Sequence, residues 1–451
     1  MSESDAEPDA ALSTPYADWL AATVTSIEQA LADAEPVRSP HAGAPAELGA
    51  RLDAAVEAAA GDLIALSHDL HAHPELLFAE HHAVKAIAEL VERHDIGVEI
   101  GVGGLATALR AEVGTGQAPV VTICAEYDAL PGIGHACGHN VIAATAAGAF
   151  LACAQVADEL PGTVQLLGTP GEEGGGGKEY LARAGVFDRT DAAIMLHPYG
   201  VDAVDHEWLG VRTVDVVYQG LSAHAAALPF LGRNALDAIV DAYDSLARLR
   251  QHLLPGDRVH GIITDGGQKP NIVPERAAGS FFLRSRSVAG IEALTQRAQA
   301  VFEAAAHANG VRLHLDWDVV APYLPLRTNH WLAARYAEAL APRGRPVAPK
   351  GVLPPELAAS TDMGNVSMRV PAIHPLLAIA PPGVTIHQPE FAEWAASDHA
   401  EAGVVDGAVG LARTAADFLC DERLRADVRA EFEAAGGVVD VARVTGANDG
   451  R

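Results

Sequence analysis

Residues 119–140 read PVVTICAEYDALPGIGHACGHN. The first seven are apolar and rich in β-branched side chains without alternation, the pattern of a strand buried on both faces of a parallel sheet. Polarity then appears at once, with Glu126 and Asp128 and, after a Pro-Gly turn, His135, Cys137 and His139. Two further apolar runs repeat the arrangement. GTVQLLG (162–168) is followed by TPGEEGGGG with the pair Glu172 and Glu173, and DAAIML (191–196) is followed by His197 and Pro198. A helical stretch, NVIAATAAGAFLACAQVADEL, separates the first two strands. In open α/β sheets the carboxyl ends of the strands form the ligand-binding crevice. Three segments are therefore predicted to bring Asp, Cys, His, Glu, Glu and His to one rim.

Imidazole, thiolate and carboxylate together suit a divalent transition metal, zinc first, with manganese or cobalt where oxygen ligands add up. Cys137 and His139 are two residues apart and cannot share a helical face, so they are expected in the turn before a helix, whose N-terminus would stabilise a thiolate. Each feature also has an ordinary reading. A lone cysteine is usually core filler, as we read Cys124, Cys153 and Cys420. His135 and His139 suit a plain surface, residues 174–177 a flexible loop, and adjacent glutamates a solvated turn. Taken singly the ordinary readings win; at the ends of three successive buried strands they do not. The glycine run is no P-loop, because Glu occupies positions 172 and 179 around Gly177-Lys178. A zinc-deaminase PCxxC and a G-x-S-x-G elbow are also absent.

The wider pattern predicts an α/β protein with a mostly parallel sheet and an inserted ferredoxin-like α+β unit. Residues 1–45 read as an acidic extension, with a helix over 18–34 and a Pro-rich linker after it. A helix from about residue 47 breaks at Pro74 within HDLHAHPELLFAEHHAVK, and a second resumes near Glu80. Residues 46–209 and 319–425 form the discontinuous larger domain. Between them, 210–318 carry the order strand, helix, strand, strand, helix, strand. A strand at PLLAIA, a helix over 406–419 and a loose tail over 426–451 complete the expectation.

The chain has 451 residues, 49% hydrophobic and 20% charged, which fits a two-domain soluble enzyme. Asp and Glu number 59 against 31 Lys and Arg, a net charge of −28. Such a surface repels phosphate, so nucleic acid and anionic membranes are not expected partners. No apolar run is long enough to span a bilayer, the acidic N-terminus is unlike a signal peptide, and four cysteines without CxxC spacing suit a reducing compartment. The expected location is the cytoplasm.

At these motifs the chain resembles metallopeptidase family twenty, the aminoacylase and carboxypeptidase-like amidohydrolases. AEYDALPGIGHACGHN, GTPGEEGGGG, MLHP, GLSAHAA and PNIVPE fall in family order across residues 60–420. STDMGNVS and IHQPEF resemble the branch with p-aminobenzoyl-glutamate hydrolase and β-alanyl-lysine-type dipeptidases. The resemblance implies two divalent ions, zinc or manganese, held by Cys137, His139, Glu173, His197 and His387. It implies Glu172 as general base and acid, Asp128 as the carboxylate orienting a ligand, and His224 as an oxyanion-stabilising residue supplied by the second protomer of a homodimer. Asn271 and Arg284 match substrate-contacting positions. The inserted unit would be lid and dimerisation domain, and the substrate a small N-acyl or N-aryl amino acid or a dipeptide. The alternative is a metal-binding regulatory protein without turnover, which would have no need of Glu172.

Overall fold

The computed structural model describes residues 14–441 and residue 444. Helices α1 (Thr14–Asp33), α2 (Ala46–Ala72) and α3 (His81–Glu92) precede β1 (Glu99–Ile100), β2 (Leu109–Gly114) and β3 (Val120–Ala125). Then come α4 (His139–Ala154), β4 (Thr163–Gly168), α5 (Gly177–Arg183), β5 (Ala192–Ile194) and β6 (His197–Tyr199). The insertion runs β7 (Gly210–Gln219), α6 (Ala235–Leu249), β8 (Arg258–Asp265), β9 (Arg276–Ser285), α7 (Val288–Asn309) and β10 (Arg312–Trp317). Last are α8 (His330–Leu340), α9 (Met363–Ser367), β11 (Ala372–Ile373), β12 (Leu376–Ala378), α10 (Pro389–Trp394), α11 (Asp398–Cys420) and α12 (Glu422–Ala434).

The apolar runs become neighbouring strands. The larger sheet has the order β1-β2-β4-β3-β5-β11 and is parallel from β4 to β11. Its antiparallel edge, β2 and β1, was not expected from the sequence. Val121 stands opposite Val164 and Ala192, and Ile123 opposite Leu166 and Ile194. This register puts the carboxyl ends of three strands in one line, so Glu126, Thr169 and Met195 leave the sheet side by side. PLLAIA forms β12, but it pairs in parallel with β6 outside the larger sheet.

α4 is buried at every residue from His139 to Cys153, packed between the sheet and helices α2 and α11. Its small side chains permit that burial; a Cβ on Gly148 would lie 2.5 Å from Leu63. The insertion forms an antiparallel sheet of order β10-β7-β9-β8, the ferredoxin-like arrangement. α6 and α7 cover one of its faces, with Val214, Val216, Tyr218, Ile239, Phe281 and Phe302 in a separate core.

Two expectations change. The last long helix begins at Asp398, where the Ser397 side chain accepts the Ala400 N–H, not at 406. The tail expected over 426–451 is not loose at its start: 426–434 continue α12, whose Leu424, Val428 and Phe432 recur at helical spacing and are buried. The extension also packs down, with Ile27 of α1 in one cluster with Ala203 and Trp208. In the Pro-rich linker, Ala44 N–H donates to Asp417 and Gly43 N–H to Asp421. Residues 1–13, 442–443 and 445–451, which were read as extension and tail, lie outside the described residues. Among the described residues no helix is long and apolar enough to cross a membrane.

Candidate metal centre

Cys137 and His139 flank the start of α4, as their spacing predicts. Gly138, the N-cap, has φ +76°, and a Cβ there would meet Pro198 at 2.8 Å. Only glycine lets the chain turn so tightly that both neighbouring side chains face the same centre. Burial, with Glu173 beside it, pushes the Cys137 thiol well above its usual range, and a cation held beside it would favour the thiolate.

Each histidine is held by one nitrogen, which leaves the other for a ligand. His139 Nδ1 faces the Asp128 carbonyl oxygen at 2.9 Å and its Oδ1 at 3.1 Å, both acceptors, so Nδ1 carries the hydrogen. His197 Nδ1 likewise faces Pro198 O at 2.7 Å, while its Nε2 lies 3.3 Å from Cys137 Sγ. Burial holds His197 neutral, its pKa lowered to about 3. Asp128 also accepts the Glu173 N–H at 2.8 Å, so one carboxylate ties the His139 ring to the glutamate loop.

His387 arrives from the loop after β12, and α10 follows it directly. Its backbone has φ +64°, a left-handed conformation uncommon outside glycine, and its N–H donates to Ala136 O. The strain places His387 Nε2 3.4 Å from Glu173 Oε1. Ligand atoms thus gather in overlapping groups: Cys137, His139 and His197; Cys137, Glu173 and His387; His139, Glu172 and Glu173; a fourth, Glu126, Glu172 and Asp362, shares Glu172 but has the Lys178 ammonium between its other two carboxylates. His139 Nε2 and Glu173 Oε1 are buried and have no hydrogen-bond partner among the described residues. Buried donors and acceptors left open in this way are costly unless something fills the centre, and divalent cations fit a donor set of thiol, imidazole and carboxylate.

Glu172 lines the same cavity, about 360 Å³, with Glu173, Trp208, Phe282, Arg284 and Tyr323. Burial, then Glu126 and Glu173, push its carboxyl well above the ordinary range. Arg284 reaches the cavity from β9 and donates to Ser360 Oγ at 2.7 Å and His260 Nε2 at 3.2 Å. Neither partner is an acid, so its charge is left for a ligand. His224 and Asn271 do not line this cavity; both are exposed in the insertion. A larger cavity, about 690 Å³, lies at the opposite ends of the strands and contains none of these residues.

The sequence reading missed three supports. Lys178 is fully buried and donates to Glu126 and, at 2.7 Å, to Asp362. Burial opposes its charge, but Asp362 and Glu126 hold the ammonium above its usual range. Glu80 accepts the N–H groups of Phe78 and Gly171, both at 2.8 Å, and the Thr107 hydroxyl at 2.7 Å. Tyr323, from the segment after β10, binds the backbone of the glycine loop. Asp362 lies in STDMGNVS, which carried the only signal, and the others had none.

Likeness to known proteins decides the family. The sequence profile described as "Peptidase family M20/M25/M40" matches residues 122–405. The chain belongs to that family. A mouse (Mus musculus) Xaa-Arg dipeptidase is 38% identical over 392 residues, covering 84% of this chain and 90% of the relative. One of the p-aminobenzoyl-glutamate hydrolase subunits of Escherichia coli K12 is 32% identical over 303 residues, covering 61% of this chain and 62% of the relative. Among solved structures, an aminobenzoyl-glutamate utilization protein from Klebsiella pneumoniae superposes with a TM-score of 0.64 at 21% identity, over 81% of this chain and 98% of that one. A dinuclear metal-binding M20 peptidase from Bacillus subtilis gives 0.57 at 22% identity, over 77% and 98%. At those identities the structural likeness establishes the fold. This M20 chain is a metal-dependent hydrolase of amide or peptide bonds, as its motifs implied.

Proposed function

We propose that the chain is a dinuclear amidohydrolase that cleaves the amide bond of a small N-acyl or N-aryl amino acid, or of a dipeptide. The observation that carries the reading is the overlap of three ligand groups at one cavity, whose wall holds Cys137, Glu172, Glu173, His197 and His387, with Cys137, Glu173 and the buried His139 each shared between two groups. Cys137, His139, Glu173, His197 and His387 are the metal ligands in this reading. Two divalent ions, zinc or manganese, would there lower the pKa of a water toward neutrality and polarise the scissile carbonyl.

Glu172 does the proton work. Its high proton affinity suits a group that takes a proton from the attacking water and returns it to the leaving nitrogen. The water oxygen bonds to the carbonyl carbon, the C–N bond breaks, and the proton ends on the amine. Asp128 orients the His139 ring. Arg284 takes the substrate carboxylate, and Trp208, Val211, Phe282 and Ile386 offer an apolar wall to the rest.

His224 Nδ1 accepts from Ala226 N–H at 3.3 Å and Ala227 N–H at 3.1 Å. The hydrogen is therefore on Nε2, the tautomer needed to donate to an oxyanion. Because His224 and Asn271 lie away from this chain's own cavity, the reading has them serve the site of a second protomer in a homodimer, with the insertion as lid. The four unpaired cysteines suit a reducing compartment, and we place the chain in the cytoplasm. The regulatory alternative has no observation in its favour.

The names of the relatives suggest which substrates to try. Metal-reconstituted protein should release free amino acid from dipeptides with a basic C-terminal residue, p-aminobenzoyl-glutamate or N-acetyl amino acids. Absence of release from all three classes, with metal bound, would refute the reading.

A further inference from the structure

We infer that the chain carries a separate surface site for a zinc-like divalent transition cation, formed by Asp69, His73 and His82. Ligand atoms of these three residues lie within 4.8 Å of one another. None of them lines the cavity of the metal centre or belongs to its ligand groups.

The local sequence builds the cluster. Asp69 lies in the last turn of α2 and His73 is its C-cap, four residues on, with its N–H on the Asp69 carbonyl oxygen at 3.1 Å. Pro74 stops the helix and the chain turns back into α3. There the Glu75 carboxylate accepts the His82 N–H at 2.9 and 2.8 Å and the Ala83 N–H at 3.0 Å. This fixes the first turn of α3 and presents His82 to Asp69. His82 Nε2 then lies 2.7 Å from Asp69 Oδ2, and His73 Nδ1 lies 3.1 Å from Oδ1. Two imidazoles thus address the two oxygens of one carboxylate, with ring centroids 4.7 Å apart.

Two imidazoles and a carboxylate match zinc, cobalt, nickel and copper rather than calcium or magnesium, which prefer oxygen. Donors bound tetrahedrally at about 2.0–2.2 Å stand roughly 3.3 Å apart, so the 2.7 Å contact must open by about 0.6 Å and the 3.1 Å contact by about 0.2 Å, all three ligand atoms already lying within 4.8 Å of one another. The side chains are 39%, 59% and 42% exposed for Asp69, His73 and His82, so a hydrated cation can enter and keep water in its open positions. His73 Nδ1 also faces Asp69 O at 2.9 Å. A cation must compete with that hydrogen bond, which makes His73 the weaker ligand and His82 the stronger.

The site spans a segment that supports the catalytic loop. Between His73 and His82, the Glu75 carbonyl accepts the Ala129 N–H at 2.8 Å, next to Asp128. The Phe78 ring lies against Gly171 and Gly175, and Glu80 accepts the Gly171 N–H. A cation joining residues 73 and 82 would clasp the two ends of this segment.

Equilibrium dialysis of the full chain against Zn²⁺, with metal counted per chain, tests the inference. The double variant His73→Ala/His82→Ala should bind one zinc fewer than the unsubstituted chain, and Asp69→Asn should behave likewise while keeping the side chain's shape. His82→Ala should weaken binding more than His73→Ala. Added Zn²⁺ should raise the thermal midpoint of the unsubstituted chain further than that of the double variant, and Ca²⁺ should show no such difference. Cys137→Ser/His387→Ala should retain the surface equivalent, which separates this site from the metal centre. Equal zinc counts in the unsubstituted chain, the double variant and Asp69→Asn would overturn the inference.

Discussion

The Tyr323 hydroxyl donates to the carbonyl oxygen of Glu172 at 2.5 Å and accepts the N–H groups of Gly174 and Gly176, each at 3.1 Å. One phenol therefore gathers three backbone groups of a loop that is glycine at four successive positions, where intrinsic stiffness is least. The shape of the loop that presents Glu172 and Glu173 is supplied by a side chain some 150 residues away. Tyr323→Phe leaves the buried Gly176 N–H without its partner, while the Gly174 N–H keeps the Glu172 carbonyl oxygen at 2.6 Å. The expected cost is about 1–3 kcal/mol of stability, read from urea unfolding, together with reduced turnover. Unchanged stability would remove Tyr323 from this role.

Glu172→Gln should keep the metal content and substrate binding of the unsubstituted chain and lose kcat by about 10³-fold or more, because one group serves both proton transfers. Glu173→Gln should instead weaken metal binding. Metal analysis beside turnover distinguishes them: if Glu172→Gln loses metal and Glu173→Gln keeps it, the roles are exchanged.

Cys137→Ser and His387→Ala each remove a proposed ligand, and both should lower bound metal in the centre and cut turnover by more than about 100-fold. Full metal occupancy with normal activity in either variant would dismiss that ligand.

Glu80 gives a pH signature. Burial raises its carboxyl above the ordinary range. A raised folded-state pKa means that this group's stabilisation is complete below the unfolded value, about 4.3, and is lost as pH rises through the folded one. Glu80→Gln cannot ionise and replaces one acceptor oxygen with a donor, so it should be less stable at low pH. Its deficit should narrow as pH rises above the ordinary carboxylate range. Urea midpoints of both proteins across that range provide the check, and a deficit that widens would contradict the assignment.

The dimer reading predicts complementation. His224→Ala and Glu172→Gln should each be nearly inactive alone. In a mixed dimer, the intact His224 of one protomer serves the intact Glu172 of the other. Random re-pairing of equal amounts should restore about a quarter of the unsubstituted activity, since half the dimers are mixed and each has one complete site. No recovery after verified exchange of protomers, or a fully active monomer in sedimentation, would exclude the shared site.

The sequence by itself determined whatever is encoded within a few neighbouring residues. PVVTICA reads as a buried strand, and Cys137-Gly138-His139 as a turn before a helix, because burial on both faces and an i, i+2 spacing leave marks in short windows. The order of helices and strands along the insertion followed from its alternating periodicities. What the sequence could not show is which distant group answers each buried polar atom. Lys178 sits beside glutamates and glycines and looks like a solvated loop lysine, yet packing closes it between Glu126 and Asp362. Leu424, Val428 and Phe432 have a weak helical period amid charge, and became a helix rather than a tail because the body of the protein offers them a surface to cover. Tyr323, Glu80 and the His73–His82 contact were equally invisible. Local propensity acts through the chain's own neighbouring atoms, whereas the pairing of buried charges and hydrogen bonds is decided only when segments remote in sequence exclude water between them.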